Sequence, residues 1–246
     1  MEEALLSFGR VVTFDQLWSL LRNSCTREYA KRRVALLVKK GWLVRVKKGQ
    51  YVVITDISTL GTNDLSEYVI AQSFYADAYI SFENALQYHG FFDQSLSTVR
   101  SVTTNYARSH TVQQTEYLFS RIKEDLDFGF TEEVISNSYR VKMAEAEKAL
   151  LDMLYFKTSA YTVSIVLEKM REYQHRLDFA KLQRYATRFG IGMSRMVGFL
   201  LDQVNTDTTI VQQYASADKT GYTKLTNQSE TFNAKWRLYY DNRLIA

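Results

Sequence analysis

The sequence predicts an α+β protein in two parts, a small helical front piece closed by a β-hairpin and a larger mixed body. Three observations carry that expectation. The first 55 residues read helix, helix, helix, hairpin. After residue 65, helix-like and strand-like runs alternate without any tandem repeat. The charge divides at the same place: residues 1–55 hold eleven Lys and Arg against four acids, a net of +7, and the remaining residues net −3. The chain of 246 residues is 46% hydrophobic and 24% charged, which excludes global disorder and gives room for a sizeable core.

Each front element has its own signal. Residues 2–8 read as a short helix with acids in its first turn, stopped by Gly9. Thr13 is a good N-cap for a helix over 14–22, where Phe14, Leu17, Trp18 and Leu21 recur at helical spacing. Thr26 caps a longer helix that ends at Gly41. Trp42–Val46 and Tyr51–Ile54 are β-prone around a four-residue loop, Lys47-Lys48-Gly49-Gln50. That order is the order of a winged helix-turn-helix, and the expected domain spans residues 1–56.

At about 100° per residue, the third helix turns Ala30, Val34, Leu37 and Gly41 to one side and Glu28, Arg32, Ala35 and Lys39 to the other. Arg27 and Lys31 flank that polar face on one edge, Arg33 and Lys40 on the other. A helix that enters the major groove presents its N-terminal residues to base edges while basic neighbours neutralise phosphates. Arg27, Lys31 and Arg32 are therefore the candidate base readers, and Glu28 a candidate acceptor from a cytosine amino group. Arg33, on the flank, is a further DNA-binding candidate. Lys39, Lys40, Arg45, Lys47 and Lys48 are the candidate phosphate contacts, the last two from the tip of the wing. The bland alternative is a solvated helix face with no ligand. Phe14, Trp18 and Trp42 are better explained as core.

The polar stretch 55–64 reads as a linker, and an α+β domain is expected over 65–246. Residues 65–77 are a helix candidate. Ser81 is placed to cap a two-turn helix that Gly90 stops. Strand-like runs lie near 98–104, 116–122 and 139–144. Helices fit 144–156, 161–173, 179–189 (capped by Asp178) and 194–204. Residues 206–231 read as turns, and 234–240 as a closing strand.

Other classes of function find little support. No apolar run reaches about 18 residues, so no membrane span is expected, and the acidic start lacks a secretory n-region. One cysteine, Cys25, and three scattered histidines, His89, His110 and His175, offer no metal cage. Proline is absent where about 12 would be average, so no cis-proline turn exists. There is no phosphate-binding glycine loop and no nucleophile elbow. Glu145 and Glu147, two apart on an expected helix, should point in different directions, and His89 reads as a helix-end residue. The expectation is a cytoplasmic protein without catalytic residues, cofactor or metal.

Two further stretches carry a family resemblance. Tyr79-Ile80-Ser81-Phe82-Glu83-Asn84-Ala85-Leu86-Gln87-Tyr88-His89-Gly90-Phe91, followed by Ala146-Glu147-Lys148-Ala149-Leu150-Leu151-Asp152-Met153-Leu154, resembles the AbiEi family of antitoxins. The hairpin Lys48-Gly49-Gln50-Tyr51-Val52 is similar to that family's basic wing. The likeness spans most of residues 1–160, and the chain departs from the family in having no proline after the first motif. It implies an antitoxin of a type IV toxin–antitoxin, abortive-infection phage-defence system. Such a protein represses its own promoter by binding inverted repeats in double-stranded operator DNA. It counters a nucleotidyltransferase toxin without a stable complex, its C-terminal domain carrying the neutralising activity. Two other readings stand beside this one: an antitoxin that sequesters its toxin by direct protein binding, and an enzyme reversing a nucleotide modification with Glu147 and Asp152 in its site.

Overall fold

The computed structural model describes residues 2–54, 66–135 and 139–244, and among them it is α+β, with ten α-helices and twelve strands. In chain order these begin α1 (Glu2–Phe8), β1 (Val11–Thr13), α2 (Phe14–Leu21), α3 (Arg27–Lys39), β2 (Leu43–Lys47) and β3 (Gln50–Val53). Next come α4 (Glu67–Phe74), β4 (Tyr79–Ile80), α5 (Phe82–Tyr88), β5 (Thr98–Thr103), β6 (His110–Val112), β7 (Thr115–Arg121), β8 (Phe130–Ile135) and β9 (Tyr139–Ala144). Five helices follow: α6 (Ala146–Phe156), α7 (Ala160–Glu172), α8 (Phe179–Phe189), α9 (Ile191–Gln203) and α10 (Thr209–Ala215). The chain closes on β10 (Thr223–Lys224), β11 (Thr231–Asn233) and β12 (Leu238–Tyr240). The sheets have strand orders β1-β3-β2, β6-β7-β5-β4-β9-β8 and β10-β12-β11.

The helix starts follow local chemistry. Thr13 accepts from the Gln16 amide while the Gln16 side chain accepts from Thr13, a complete capping box. Thr26 accepts from Tyr29 N–H, Ser159 from Thr162 N–H and Asp178 from Lys181 N–H. Past α3, Gly41 sits at φ +78°, a conformation costly for any residue with a Cβ. Ala4, Val12, Leu17, Val34, Leu43 and Val53 form the core under the front helices, and Leu37 packs half-buried against it. The apolar side assigned to α3 is therefore the side that packs inward.

The chain falls into two compact units that interleave in sequence. The first takes Met1–Ile80, Leu96–Phe119 and Glu132–Lys142, the second Ser81–Ser95, Ser120–Thr131 and Met143–Ala246. This differs from a division into 1–56 and 65–246, whose linker lies outside the described residues. The reason is that the front elements are fastened to their neighbours in the first unit. Lys47 Nζ donates to the carbonyls of Ser73 and Phe74 at the end of α4 (3.2 and 2.6 Å), and the Arg10 amide donates to the Tyr139 hydroxyl on β9.

In the second unit, helices α6 to α10 pack around Leu150, Val163, Val166, Leu182, Val197, Leu200 and Val211, all essentially solvent-free. Helix α10 was not expected in a stretch that reads as turns. Its start is held by Asp207, which accepts from Thr209 N–H and hydroxyl, and by buried Gln183, which bridges the Asp207 carbonyl and Val211 N–H. The Trp236 ring packs against α9 at Gly198, where an added Cβ would come within 2.2 Å of two ring carbons. Trp236 Nε1 donates to Asp202 at 2.6 Å, so the ring has little freedom to retreat. Gly198→Ala is expected to destabilise the protein by about 1–3 kcal/mol through overpacking, read as a lower denaturant midpoint; an unchanged midpoint contradicts this packing.

Candidate nucleic-acid interface

The cationic residues of the front elements separate into three groups. Arg32, Arg33, Lys39, Lys40, Arg45 and Lys48 are exposed and make no ion pair or side-chain hydrogen bond among the described residues. Arg27 and Lys31 are also exposed but carry local partners: Arg27 reaches Asp15 at 2.6 Å and lies over Phe14, and Lys31 reaches Glu28 at 2.7 Å. The Lys31 contact holds the Glu28 carboxyl below its ordinary range. Exposed pairs of this kind contribute only about 0–1 kcal/mol, so a phosphate can displace them. The Arg27–Asp15 pair also joins α2 to the first turn of α3.

Lys47 belongs to neither group, which corrects its assignment to the wing tip. The strands run further than expected, pairing Lys47 with Gln50, so the turn is only Lys48-Gly49, with Gly49 at φ +77°. A bulge between Arg45 and Lys47 breaks the alternation of β2, burying both Leu43 and Val46 and turning Lys47 toward α4. There its ammonium meets two carbonyls at a helix C-terminus and sits over the Tyr75 ring, and burial lowers its pKa. Two further residues of α3, to which the sequence analysis assigns no role, also stand on the surface. Tyr29 and Leu36 are half exposed and share a face with Arg33 and Lys40 through spacings of four, three and four. The packing of Ala30 and Val34 against the core leaves this face pointing outward.

In the second unit the two motif segments meet. Ser81 precedes α5 but does not cap it; its hydroxyl donates instead to Asp152 Oδ2 on α6 at 2.7 Å. Lys148, one turn before Asp152, pairs with the other carboxylate oxygen, and all three side chains are solvent-free. The ammonium lies 5.3 and 4.9 Å from the ring centres of Phe128 and Phe189. Burial lowers the Lys148 pKa, an effect opposed by the Asp152 charge. Phe82, the first residue of α5, is a non-glycine at φ +56°, strain that its wholly buried ring holds in place. Because no solvent reaches this cluster, it reads as a structural keystone.

A second polar group borders a cavity of about 350 Å³ lined in part by His89, Glu145, Glu147, Arg176 and Lys181. Glu145 and Glu147 were expected to diverge, yet both reach Lys181, at 3.5 and 2.9 Å. Glu145 is the extended residue before α6, so helical geometry does not apply to it. Its other oxygen accepts from Tyr185 at 2.6 Å, and burial raises the phenol pKa to about 12. His89, placed at a helix end as expected, bonds the Ala144 carbonyl through Nε2 at 2.8 Å, while Arg176 caps α5 by donating to the His89 and Gly90 carbonyls. Lys181, Arg184 and Arg188, which share one face of α8, are all engaged, Arg188 lying 3.5 Å over Phe128.

No protein-family model matches this chain, and neither does any curated protein. Among solved structures the fold is similar to that of the RV2827C protein from Mycobacterium tuberculosis. The two share 13% identity at a TM-score of 0.63, over 98% of this chain and 89% of that one. At that identity the likeness concerns the fold alone. No helix among the described residues is long and apolar enough to cross a membrane, and they contain no metal-ligating cluster.

Two outcomes follow from these placements. Asp152→Ala is expected to cost about 3–5 kcal/mol by stranding Lys148, whereas Asp152→Leu with Lys148→Met recovers most of that loss; equal denaturation midpoints for the two variants would contradict a buried ion pair. His110, stacked on Phe74 at 4.1 Å and bonded to the Tyr75 hydroxyl, has its pKa lowered below 6.5 by burial and then by Lys47. The folded state thus favours neutral imidazole, a contribution complete above pH 6.5 and lost as pH falls through the folded value. Stability measured from pH 7 to 5 is expected to fall less steeply for His110→Gln than for the parent, and parallel profiles would refute the assignment.

Proposed function

We propose that this chain is a DNA-binding autorepressor and antitoxin of a type IV toxin–antitoxin phage-defence system. On this reading residues 1–56 act as a winged helix-turn-helix on inverted repeats in the chain's own promoter, α3 lying in the major groove and the Lys48-Gly49 turn at the backbone. The observation that carries the DNA-binding part is the set of six exposed, uncommitted cations on α3, β2 and the turn. A protein surface gains nothing from leaving like charges unpaired side by side, whereas a duplex repays them through counterion release. Arg32, Lys31 and Arg27 supply base contacts, Arg33, Lys39, Lys40, Arg45 and Lys48 phosphate contacts, and Tyr29 and Leu36 apolar contact with thymine methyl groups.

The antitoxin part rests on the two resembling segments, and the Ser81–Asp152 hydrogen bond supports it by making them one packed feature rather than two coincidental strings. The expected partner is a nucleotidyltransferase toxin that is countered without a stable complex, with no cofactor required. Growth rescue of cells expressing such a toxin from the neighbouring reading frame tests this part, and absence of rescue overturns it.

For DNA binding, Lys31→Ala with Arg32→Ala is expected to weaken binding to promoter fragments at least about 30-fold, since two base contacts are removed and each is worth about 1–3 kcal/mol. Circular dichroism should stay unchanged. Lys48→Ala should weaken all sequences alike and reduce the salt slope by about 0.9, the increment for one phosphate. Lys47→Ala should lower stability and leave the slope alone. Unchanged affinity of the double variant on every fragment would remove α3 as the reading element.

A further inference from the structure

The second unit holds a cationic pocket that the proposed function does not use. It is a cavity of about 400 Å³ lined by Arg195, Gln212, Ser216, Asp218, Lys219 and Arg237, among others, with Lys235 and Trp236 at its side. Among these Arg195, on α9, is only 3% exposed. Its Nη2 donates to the Asp218 carbonyl at 2.8 Å and reaches the Asp218 carboxylate at 3.3 Å. Its Nε and Nη1 donate to no described residue. A guanidinium this deeply buried with open donors is anchored on one side and offered on the other.

The neighbours have the same sign. Arg237 donates through Nε and Nη2 to the carbonyls of Gly221 and Thr220, at 2.8 and 3.1 Å, so no carboxylate offsets its charge. Its backbone is held at φ +49°, a left-handed conformation in which the turn fixes the side chain at the pocket wall. Lys219 is exposed and makes no ion pair among the described residues. Lys235 is balanced by Asp202 at 2.6 Å. The single carboxylate in the lining, Asp218, is tied up by the amides of Thr220 and Gly221, which with the Thr220 hydroxyl hold its pKa well below the usual range. Gly221 permits that turn, because a Cβ there would fall 2.6 Å from the Asp218 carboxylate.

Two guanidinium groups and the Lys219 ammonium, besides Lys235 with its Asp202 partner, thus border one cavity against one ionised carboxylate, with the Ser216 hydroxyl and Gln212 amide beside them. A carboxylate ligand would saturate a single guanidinium fork, whereas a phosphate presents at least three oxygens and up to two charges to three cations. The volume exceeds that of a bare oxyanion and falls within the range of small-molecule sites. We propose that this pocket binds the phosphate group of a phosphate ester, with Arg195 and Arg237 holding its oxygens and Lys219 closing over it. The ester is either a free nucleotide or a nucleic-acid backbone.

Thermal unfolding of the full chain tests this with sodium phosphate against sodium chloride at matched ionic strength, then with a nucleoside monophosphate and a short duplex. All are measured in the Lys31→Ala, Arg32→Ala background, so that duplex held by α3 does not count. The expected result is a midpoint that rises with phosphate concentration beyond the chloride control. The apparent Kd should weaken at least tenfold in Lys219→Ala, a surface change that spares the fold, and the effect should vanish in Arg195→Gln. A monophosphate that outcompetes phosphate while duplex does not supports a free nucleotide; duplex stabilisation lost in Lys219→Ala supports a backbone. No rise beyond chloride, or an equal rise in parent and Lys219→Ala, overturns the pocket, and neither result bears on α3.

Discussion

The second unit is organised around a charge pair with no access to water. Removing an ammonium and a carboxylate from solvent costs several kcal/mol each, and that cost is tolerable only when every remaining donor and acceptor is met. Here Asp152 accepts from Lys148 on one oxygen and from Ser81 on the other, while two aromatic faces and the Asp127 charge also act on the ammonium. The arrangement dictates its surroundings. Ser81 must face α6 instead of capping α5, and Phe82 must take a backbone angle that few residues accept. Gly129 must lack a side chain, because a Cβ there would press within 3.2 Å of Lys148 carbons and the Tyr185 ring.

Charge is handled in the opposite way on α3. There the cations stand in water with few partners, and the helix owes its place to Ala30, Val34 and a half-buried Leu37 beneath them. A charge whose partner is buried beside it serves the fold; the open row on α3 is what the proposed DNA-binding reading rests on. The Arg195 pocket lies between these limits, since its guanidinium is buried yet only half satisfied. Three treatments of the same residue types thus separate scaffold, surface and pocket.

Much of this was legible in the sequence where one local rule decided the outcome. Thr13, Thr26 and Asp178 announced their helices through capping chemistry, and Gly41 announced the end of α3. The strand runs near 98–104, 116–122 and 139–144 correspond to β5, β7 and β9. Legibility failed where tertiary partners overrode local pattern. The bulge that diverts Lys47 leaves no mark in Leu43-Val44-Arg45-Val46-Lys47, and α10 depends on Gln183, more than twenty residues upstream. Glu145 and Glu147 converge only because the first lies outside the helix. The Arg195 pocket gathers residues from 195 to 237 that share no motif, so no spacing rule could have found it.

The bulged hairpin has one more implication. Since Lys47 is moored to the carbonyl end of α4 and its neighbour Val46 is buried, β2 and β3 do not form a swinging flap. Whatever meets Lys48 meets a surface whose shape is settled in advance. On the proposed DNA-binding reading, little conformational entropy would then remain to be surrendered on contact, and the ammonium at the turn would keep most of its electrostatic gain as affinity.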